Sequence, residues 1–591
     1  MHDNNIHTLV FDLWKDTRDG IFHFLPESIL CAVMVLLLLV RIVKWTERRD
    51  VFWLALGGTV AALLFTSFWT LFSEEIPRQE LFTGMLVYDG FTVLLRGILI
   101  GFAVLFLLFS RLTRVPDKEE RPDVFVLVLG ATLGMCLMAS ANHMLTVFLA
   151  VEMASVPSYV LAGMLKGQRK SSEASLKYAV YGAGAAGVML YGISLIAGIT
   201  NTLHLPTMAT ELAQLYPDMN GDTLMVLALG GLMIGVGLAF KLSAVPFHFW
   251  CPDVFEGATA EVAAFLSIAS KAAALALLVR VAIGIGVVQS DPAVAIAEPT
   301  EAASRLASAG LYALADEEEP PAPVVDAPTG ATSAVAPSPA EMKPPAAEPT
   351  AAAHGSPLEP VRNFIGQLIA FLAILTCTFG NLAAYGQTNA KRLLAYSTIA
   401  HAGYMMMAVP PILAMAVAHP AGAHDAVSGL AIYMIVYVFM NLTAFAFVAF
   451  FHDKIQSDEI ADYAGLIQHS PLAVILLSLT LFSLVGLPPL AGFIGKFAIF
   501  ASLAQGWSVS GQSHLMVLLV AGGINTAISL FYYLRVVKTM TMSPAPESRT
   551  ACALGPFHLG FLILLSIPTA ALILWWQPLK LLADHAAAGL L

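Results

Sequence analysis

Apolar runs of roughly twenty residues recur along nearly the whole of this sequence, each long enough to cross a hydrocarbon layer of about 30 Å. A chain patterned in this way has very few folds open to it. Hydrocarbon offers no water to unpaired amides and carbonyls, so each crossing must satisfy its own backbone, as an α-helix or within a closed β-barrel. Barrel strands would show as stretches of about ten residues with alternating polarity, and the sequence contains none. It therefore predicts an all-α polytopic membrane protein. Fourteen spans are expected, at about 25–43, 52–72, 85–109, 123–141, 143–164, 174–199, 222–250, 260–285, 361–384, 391–417, 428–451, 472–503, 514–537 and 557–577.

Of 591 residues, 58% are hydrophobic and only 12% charged, about half the charged share of a soluble protein. The net charge of −11 is local in origin, because ten of the acids lie within 289–357. The centre of that stretch reads EEEPPAPVVDAPTGATSAVAPSPAEMKPPAAEPTAAA, with only Arg305 and Lys343 basic in the whole of it. Such a composition buries too little apolar surface to offset the entropy of ordering, so a disordered loop is expected. Around Glu301–Leu314 the pattern admits a short helix. Nothing here supports nucleic-acid binding. The five cysteines, Cys31, Cys136, Cys251, Cys377 and Cys552, form no C-x-x-C pair. That argues against an iron–sulfur cluster, a structural zinc or a disulfide framework in this chain. The opening MHDNNIHTLVFDLWKD is polar and acidic, unlike the basic start of a cleavable signal peptide.

Basic residues set the expected orientation. Loops after odd-numbered spans hold Arg41, Lys44, Arg48, Arg49, Arg111, Arg114, Lys118, Arg121, Lys166, Arg169, Lys170, Lys177, Lys391, Arg392, Lys454, Arg535, Lys538 and Arg549. These eighteen compare with seven in the termini and the remaining loops. Both termini are expected outside the cytoplasm, and the 289–357 loop with them.

A charge near the bilayer centre costs several kcal/mol, so ionisable residues inside spans are functional candidates. Glu152, Lys241, Lys271, Lys496 and the more peripheral Arg96 stand out. Snorkelling to the interface accounts for Arg96, but not for Lys271, which is far from either end of its span. One carboxylate against three central lysines leaves too few partners for static pairing. Desolvation disfavours the charged form of an amine, which lets a buried, under-paired lysine exchange protons near neutral pH. A proton relay through these residues is therefore expected. Pro246 in the seventh span and Pro488 and Pro489 in the twelfth should break those helices. Breaks at corresponding positions of two halves point to an ion pathway. The halves would be spans 4–8 and 9–13, five each and so inverted relative to one another. His248 and His401 are candidate auxiliaries, since imidazole titrates near neutrality. His143, at a helix start, is a weaker one. Gly182-Ala-Gly184-Ala-Ala-Gly187 fits the dinucleotide-binding pattern, but it lies inside a span without a preceding strand, so close helix packing is the better reading.

The string KLSAVPFHFWCPDVFEGATAEVAAFLSIASKAAALALLVR resembles the antiporter-like subunits shared by respiratory complex I (NADH:quinone oxidoreductase) and multisubunit sodium/proton antiporters. So do ASANHMLTVFLAVEMASVPSYVLAG, SSEASLKYAVYGA, AKRLLAYSTIAHAGYMM, ADYAGL and GLPPLAGFIGKF. Together these cover roughly 85–285 and 361–540. Lysine at 496, and an end after fourteen spans without a lateral helix, are similar to the N-type branch of that family. Glu261, where many relatives have proline, and the 289–357 insertion depart from it.

The resemblance implies an organisation of helices 1–3 (1–110), a first repeat (123–285), the inserted loop, a second repeat (361–540) and a last helix (557–577). It implies that Glu152 and Lys241 act as a switch pair, that Lys271 is a central connecting lysine, and that Lys496 exchanges protons with the far side. It also implies a bacterial inner-membrane location and, as partners, other complex I subunits, chiefly neighbouring antiporter-like ones, besides the bilayer and the protons themselves. NADH, FMN, iron–sulfur clusters and quinone are expected in those partners and none in this chain. Two alternatives stand beside this reading. One is a subunit of a sodium/proton antiporter or membrane-bound hydrogenase; the other is a structural membrane subunit without its own proton path.

The orientation is directly testable. A protease site engineered into 289–357 should be cut from the extracytoplasmic face of sealed vesicles, and cutting from the cytoplasmic face alone would reverse the topology.

Overall fold

The computed structural model describes residues 14–42 (16 and 19 excepted), 50–115, 121–288, 357–546 and 552–590. The expected loop at 289–357 thus lies outside the described residues except at 357, and so does the helix admitted around Glu301–Leu314.

The described chain is overwhelmingly helical. Its helices are α1 (Leu25–Ile42), α2 (Phe52–Leu64), α3 (Gly90–Thr113), α4 (Arg121–Ser140), α5 (Met144–Ala162), α6 (Arg169–Thr200), α7 (Leu205–Leu215), α8 (Gly221–Leu242), α9 (Trp250–Gly257) and α10 (Ala260–Gly286). Past the loop follow α11 (Glu359–Ala384), α12 (Ala390–Met406), α13 (Val409–Met415), α14 (Pro420–Ile455), α15 (Pro471–Val485), α16 (Ala491–Ser510), α17 (Ser513–Met542), α18 (Pro556–Ala571) and α19 (Trp576–Ala588). Several starts are fixed by side chains that accept from the first free amides. Asp89 takes Thr92 N at 2.7 Å to open α3, Asn220 takes Thr223 N at 2.9 Å to open α8, and Asn389 takes Lys391 N at 3.0 Å to open α12. His143 caps α5 in the same way, through Leu145 N at 3.2 Å.

Among the described residues, eleven helices are long and apolar enough to cross a membrane, or twelve if α18 and α19, bent by 85°, count as one span. That is fewer than the fourteen crossings expected, and local chemistry explains the difference. The expected span 52–72 gives a helix only to Leu64, because Thr66 Oγ1 bonds Leu63 O and accepts Phe68 N, competing with the helical ladder. A 3₁₀ turn, Phe68–Phe72, follows. The expected twelfth span is divided, leaving α15 as a shorter apolar helix before the break. Two elements were not foreseen. A hairpin of β1 (Gln79–Leu81) and β2 (Leu86–Tyr88) precedes α3. The amphipathic α7 buries Leu205, Met208, Ala209 and Leu212 on one face. His204 beside it hydrogen-bonds Glu80 of the hairpin at 3.1 Å and holds that carboxyl below its ordinary range.

The centre of the molecule is α10, all of whose 27 residues are buried. It packs against α3, α4, α8, α11, α12 and α14, so no side of it faces the surroundings. The flanking helices α1, α6, α11 and α17 instead expose large apolar side chains such as Leu39, Val180, Phe371 and Ile524, as a lipid-facing or partner-facing rim must.

The glycine pattern in α6 divides. A Cβ on Gly182 would overlap the Tyr159 hydroxyl, which bears out close packing there, but one on Gly184 or Gly187 would meet nothing within 4 Å. Further on, backbone meets backbone, where a Cβ on Gly192 would lie 2.6 Å from Gly230 O of α8. Gly192→Leu should therefore lower thermal stability in detergent by about 1–3 kcal/mol, while Gly184→Leu should leave the melting temperature unchanged.

Candidate functional site

The site is organised by two interrupted helices. Helix α8 stops at Leu242, Ser243 takes the left-handed conformation (φ 55°), and the chain passes Pro246 before α9 begins at Trp250. Pro246 has no amide hydrogen to continue the ladder, so the last carbonyls of α8 are left without helical partners. Lys271 of α10 fills that role. Its Nζ donates to Lys241 O at 3.0 Å and to Ser243 Oγ at 2.5 Å, and it sits 4.8 Å from the centre of the Trp250 ring. The negative end of a helix dipole and an aromatic face both favour an ammonium. Trp250 is itself held by its Nε1 on Phe240 O at 3.1 Å and by stacking on Tyr178 at 4.2 Å.

The second interruption repeats the arrangement with a different donor. Helix α15 ends at Val485, Gly486 takes φ 89°, and α16 starts after Pro488 and Pro489. Lys496, one turn into α16, reaches back and donates to Leu484 O at 3.1 Å and Val485 O at 2.9 Å, with the Tyr404 ring 4.2 Å from its Nζ. Gly486 suits both demands of the turn. Its backbone lies where L side chains rarely go, and a Cβ would press on the Lys496 stem at 3.0 Å. At each break a lysine thus holds the free helix end, one carbonyl and a hydroxyl taken by Lys271 of the following span in the first case, two carbonyls by Lys496 of the same span in the second.

Lys241 lies in the last turn of α8, 2% exposed. It shares a small cavity with Glu152 of α5, lined also by Ser155, Tyr159 and Phe240 and with a volume of about 10 Å³, room for about one water. Among the described residues no direct ion pair joins the two side chains, so the expected pairing takes the form of two groups facing one cavity.

Between Lys271 and Lys496 the interior is polar. Ser267, one turn before Lys271, bonds Thr398 Oγ1 at 2.7 Å and the Tyr437 hydroxyl at 3.2 Å. Asn441 donates to Tyr437 at 2.9 Å and also to Ser267. The His401 ring lies against Tyr437, with centroids 5.2 Å apart, and bonds the Tyr433 hydroxyl at 2.7 Å and the Tyr533 hydroxyl at 3.2 Å. His401 therefore belongs to the polar interior through tyrosines. His248 does not join it. That ring packs against Phe249 and Phe379, each at 4.4 Å, and its buried Nδ1 makes no hydrogen bond among the described residues.

Arg96 corrects an expectation. It is fully buried rather than snorkelling, paired through Nε with Glu27 Oε1 at 2.5 Å and donating from Nη1 to His23 O at 2.9 Å. Glu27 escaped attention because it stands at the very start of its span. Arg280 escaped too, although it lies in the same apolar run as Lys271 and the same cost of burial should have marked it. It grips Asp89 with two bonds of 3.0 and 2.8 Å, adds Thr92 Oγ1 at 2.6 Å, and donates from Nε to Ala139 O. At the basic end of the molecule, Asp253 and Glu256 of α9 hold Lys177 (2.6 Å), Lys170 (2.8 Å) and Arg392 (2.8 and 2.9 Å). Residues read only as topology signals thus anchor the half-helix beyond the first break.

A family model described as "NADH:quinone oxidoreductase/Mrp antiporter, TM" matches residues 141–297 and 350–529. The chain is 32% identical over 562 residues to the NADH-quinone oxidoreductase subunit N of Anaeromyxobacter sp. (strain Fw109-5), covering 94% of each. It resembles a chain of respiratory complex I from Thermus thermophilus, solved with aureothin bound, at 27% identity and a TM-score of 0.64, covering 93% of this chain and 97% of that one. The membrane-bound sulfane sulfur reductase, an archaeal respiratory membrane complex, has a chain of the same fold at 19% identity and a TM-score of 0.71, covering 95% and 97%.

The buried Arg280–Asp89 clamp should behave as structure. Asp89→Ala strands a guanidinium and should cost about 3–5 kcal/mol, whereas adding Arg280→Leu should recover much of the loss. Thermal unfolding of the two variants measures both.

Proposed function

The chain belongs to the NADH:quinone oxidoreductase/Mrp antiporter family of membrane proteins, and from that premise we propose that it is the N-type membrane-arm subunit of an NADH:quinone oxidoreductase, moving protons while partner subunits carry electrons from NADH to quinone. The observation that carries the reading is the pair of lysine-bound helix breaks joined by a polar interior. In this reading a proton held between Glu152 and Lys241 passes to Lys271 across the end of α8, a step supported by the direct bond from Lys271 Nζ to the Lys241 carbonyl. Like charges repel strongly where water is excluded, so a proton arriving on one lysine drives the next onward. Ser267, Thr398, Tyr437 and His401 carry it toward Lys496, with waters completing the hydrogen-bonded path. Lys496 releases it to the far side.

The wider frame is also proposed. The two breaks, each preceded by a lysine-bound helix end, favour two inverted five-helix repeats at 123–285 and 361–540. Charge asymmetry among the loops favours both termini outside the cytoplasm, and the likeness to bacterial relatives favours a bacterial inner-membrane setting. NADH, FMN, iron–sulfur clusters and quinone fall to partner subunits, and the chief neighbours of this chain are other antiporter-like subunits.

Lys271→Ala tests the relay in the intact complex. Assembly should be normal, and proton pumping and coupled turnover should fall together by about tenfold or more. Lys241→Arg, which keeps the charge but cannot readily release a proton, should fail to rescue Lys241→Ala. A Lys271→Ala complex that assembled and pumped at the wild-type rate would show that Lys271 is a structural lysine.

A further inference from the structure

Where four helix ends meet on the basic side of the molecule there is a cavity of about 750 Å³, well away from the lysine line. The end of α3 gives it Arg111, Leu112, Thr113 and Arg114, the start of α4 Arg121, the end of α14 Phe450, Asp453 and Lys454, and the approach to α18 Leu554, Phe557 and His558. We propose that this cavity binds the phosphodiester headgroup of an anionic membrane lipid, with its acyl chains running along Leu112, Leu554 and Phe557.

Among the described residues, four cationic side chains face one lining carboxylate, Asp453. Asp50 behind the wall engages two of them, Arg111 at 2.5 Å and Arg121 at 3.6 Å. Arg114 and Lys454 are exposed and pair with no carboxylate among the described residues. Arg121 is only 5% exposed, and its Nη1, 3.6 Å from Asp50 Oδ1, makes no hydrogen bond among the described residues, nor does the buried Nδ1 of His558. Buried donors left in this state cost free energy unless something accepts from them, and phosphate oxygens accept well from guanidinium groups.

The position selects a lipid over a free anion. All four contributing segments are helix ends, so the cationic groups lie at the level of the membrane surface, where basic pockets between helices meet headgroups. Beside them stand apolar side chains for which inorganic phosphate has no use. Phe557 is 79% exposed and Leu112 and Leu554 partly so, while the buried Phe450 backs the cavity with its ring 4.7 Å from His558. An acyl chain covers such side chains while its phosphate meets the cations.

The test uses membranes containing the full chain in its native assembly, treated with a photoactivatable phosphatidylglycerol and with the matching phosphatidylcholine. Crosslinks are mapped by mass spectrometry. Phosphatidylglycerol should label 111–114, 450–454 and 554–558, phosphatidylcholine should not, and excess inorganic phosphate should not compete. The double variant Arg114→Gln, Lys454→Gln, which removes no ion pair seen in the fold, should weaken labelling roughly thirtyfold while leaving proton pumping intact as a check on folding. Equal labelling by the two lipids, unchanged labelling in the variant, displacement by phosphate, or crosslinking of these positions to protein in place of lipid would each overturn the proposal.

Discussion

Inside a bilayer an interrupted helix and an isolated ammonium face the same difficulty, since each holds polar atoms that water would otherwise satisfy. Here the two difficulties cancel. The Lys241 carbonyl at the end of α8 and the Ser243 hydroxyl beyond it accept from Lys271, and two carbonyls at the end of α15 accept from Lys496. Aromatic faces, Trp250 in the first case and Tyr404 in the second, cover the remaining side of each charge. Much else follows from this arrangement. The break supplies neutral acceptors, so the lysine is held without a carboxylate that would bind its proton more firmly.

That contrast separates two kinds of buried charge in the molecule. Arg96 with Glu27, and Arg280 with Asp89, are complete pairs of opposite sign, the second doubly bonded. Guanidinium groups do not deprotonate in proteins, so these pairs act as fasteners between α1 and α3 and between α10 and α3. The lysines are held by carbonyls and hydroxyls, and a lysine can give up its proton. The fixed frame and the proposed relay therefore use different residue types, and both meet on α10, which carries Lys271 and Arg280 together.

Because α10 is enclosed along its whole length, it brings the two halves of the interior into one polar line. Ser267 on α10 touches Thr398 on α12 and Tyr437 on α14, and His401 continues from there through Tyr433 and Tyr533. Hydroxyls that both donate and accept suit such a line, since neither direction of transfer strands an unpaired group. The ion-paired α9 completes the frame at the basic end, holding the segment beyond the first break in place through Asp253 and Glu256.

Much of this was legible in the residues alone. Hydrocarbon permits only helices, so apolar run length located the spans, and proline chemistry located both breaks at Pro246 and at Pro488 with Pro489. The cost of burying charge singled out Glu152, Lys241, Lys271 and Lys496 without any contact being known. What the sequence could not decide was which group answers which. Lys271 and Lys241 are neighbours because a carbonyl is freed between them, an event visible only once α8 and α10 lie side by side. Glu27 beside Arg96, Asp89 beside Arg280 and His248 turned away among phenylalanines were settled in the same way. A residue's burial cost is a property of its type and its span, and can be read along the chain. Its partner is a property of packing between spans, which hydrophobicity drives without specifying, and so it exists only in three dimensions.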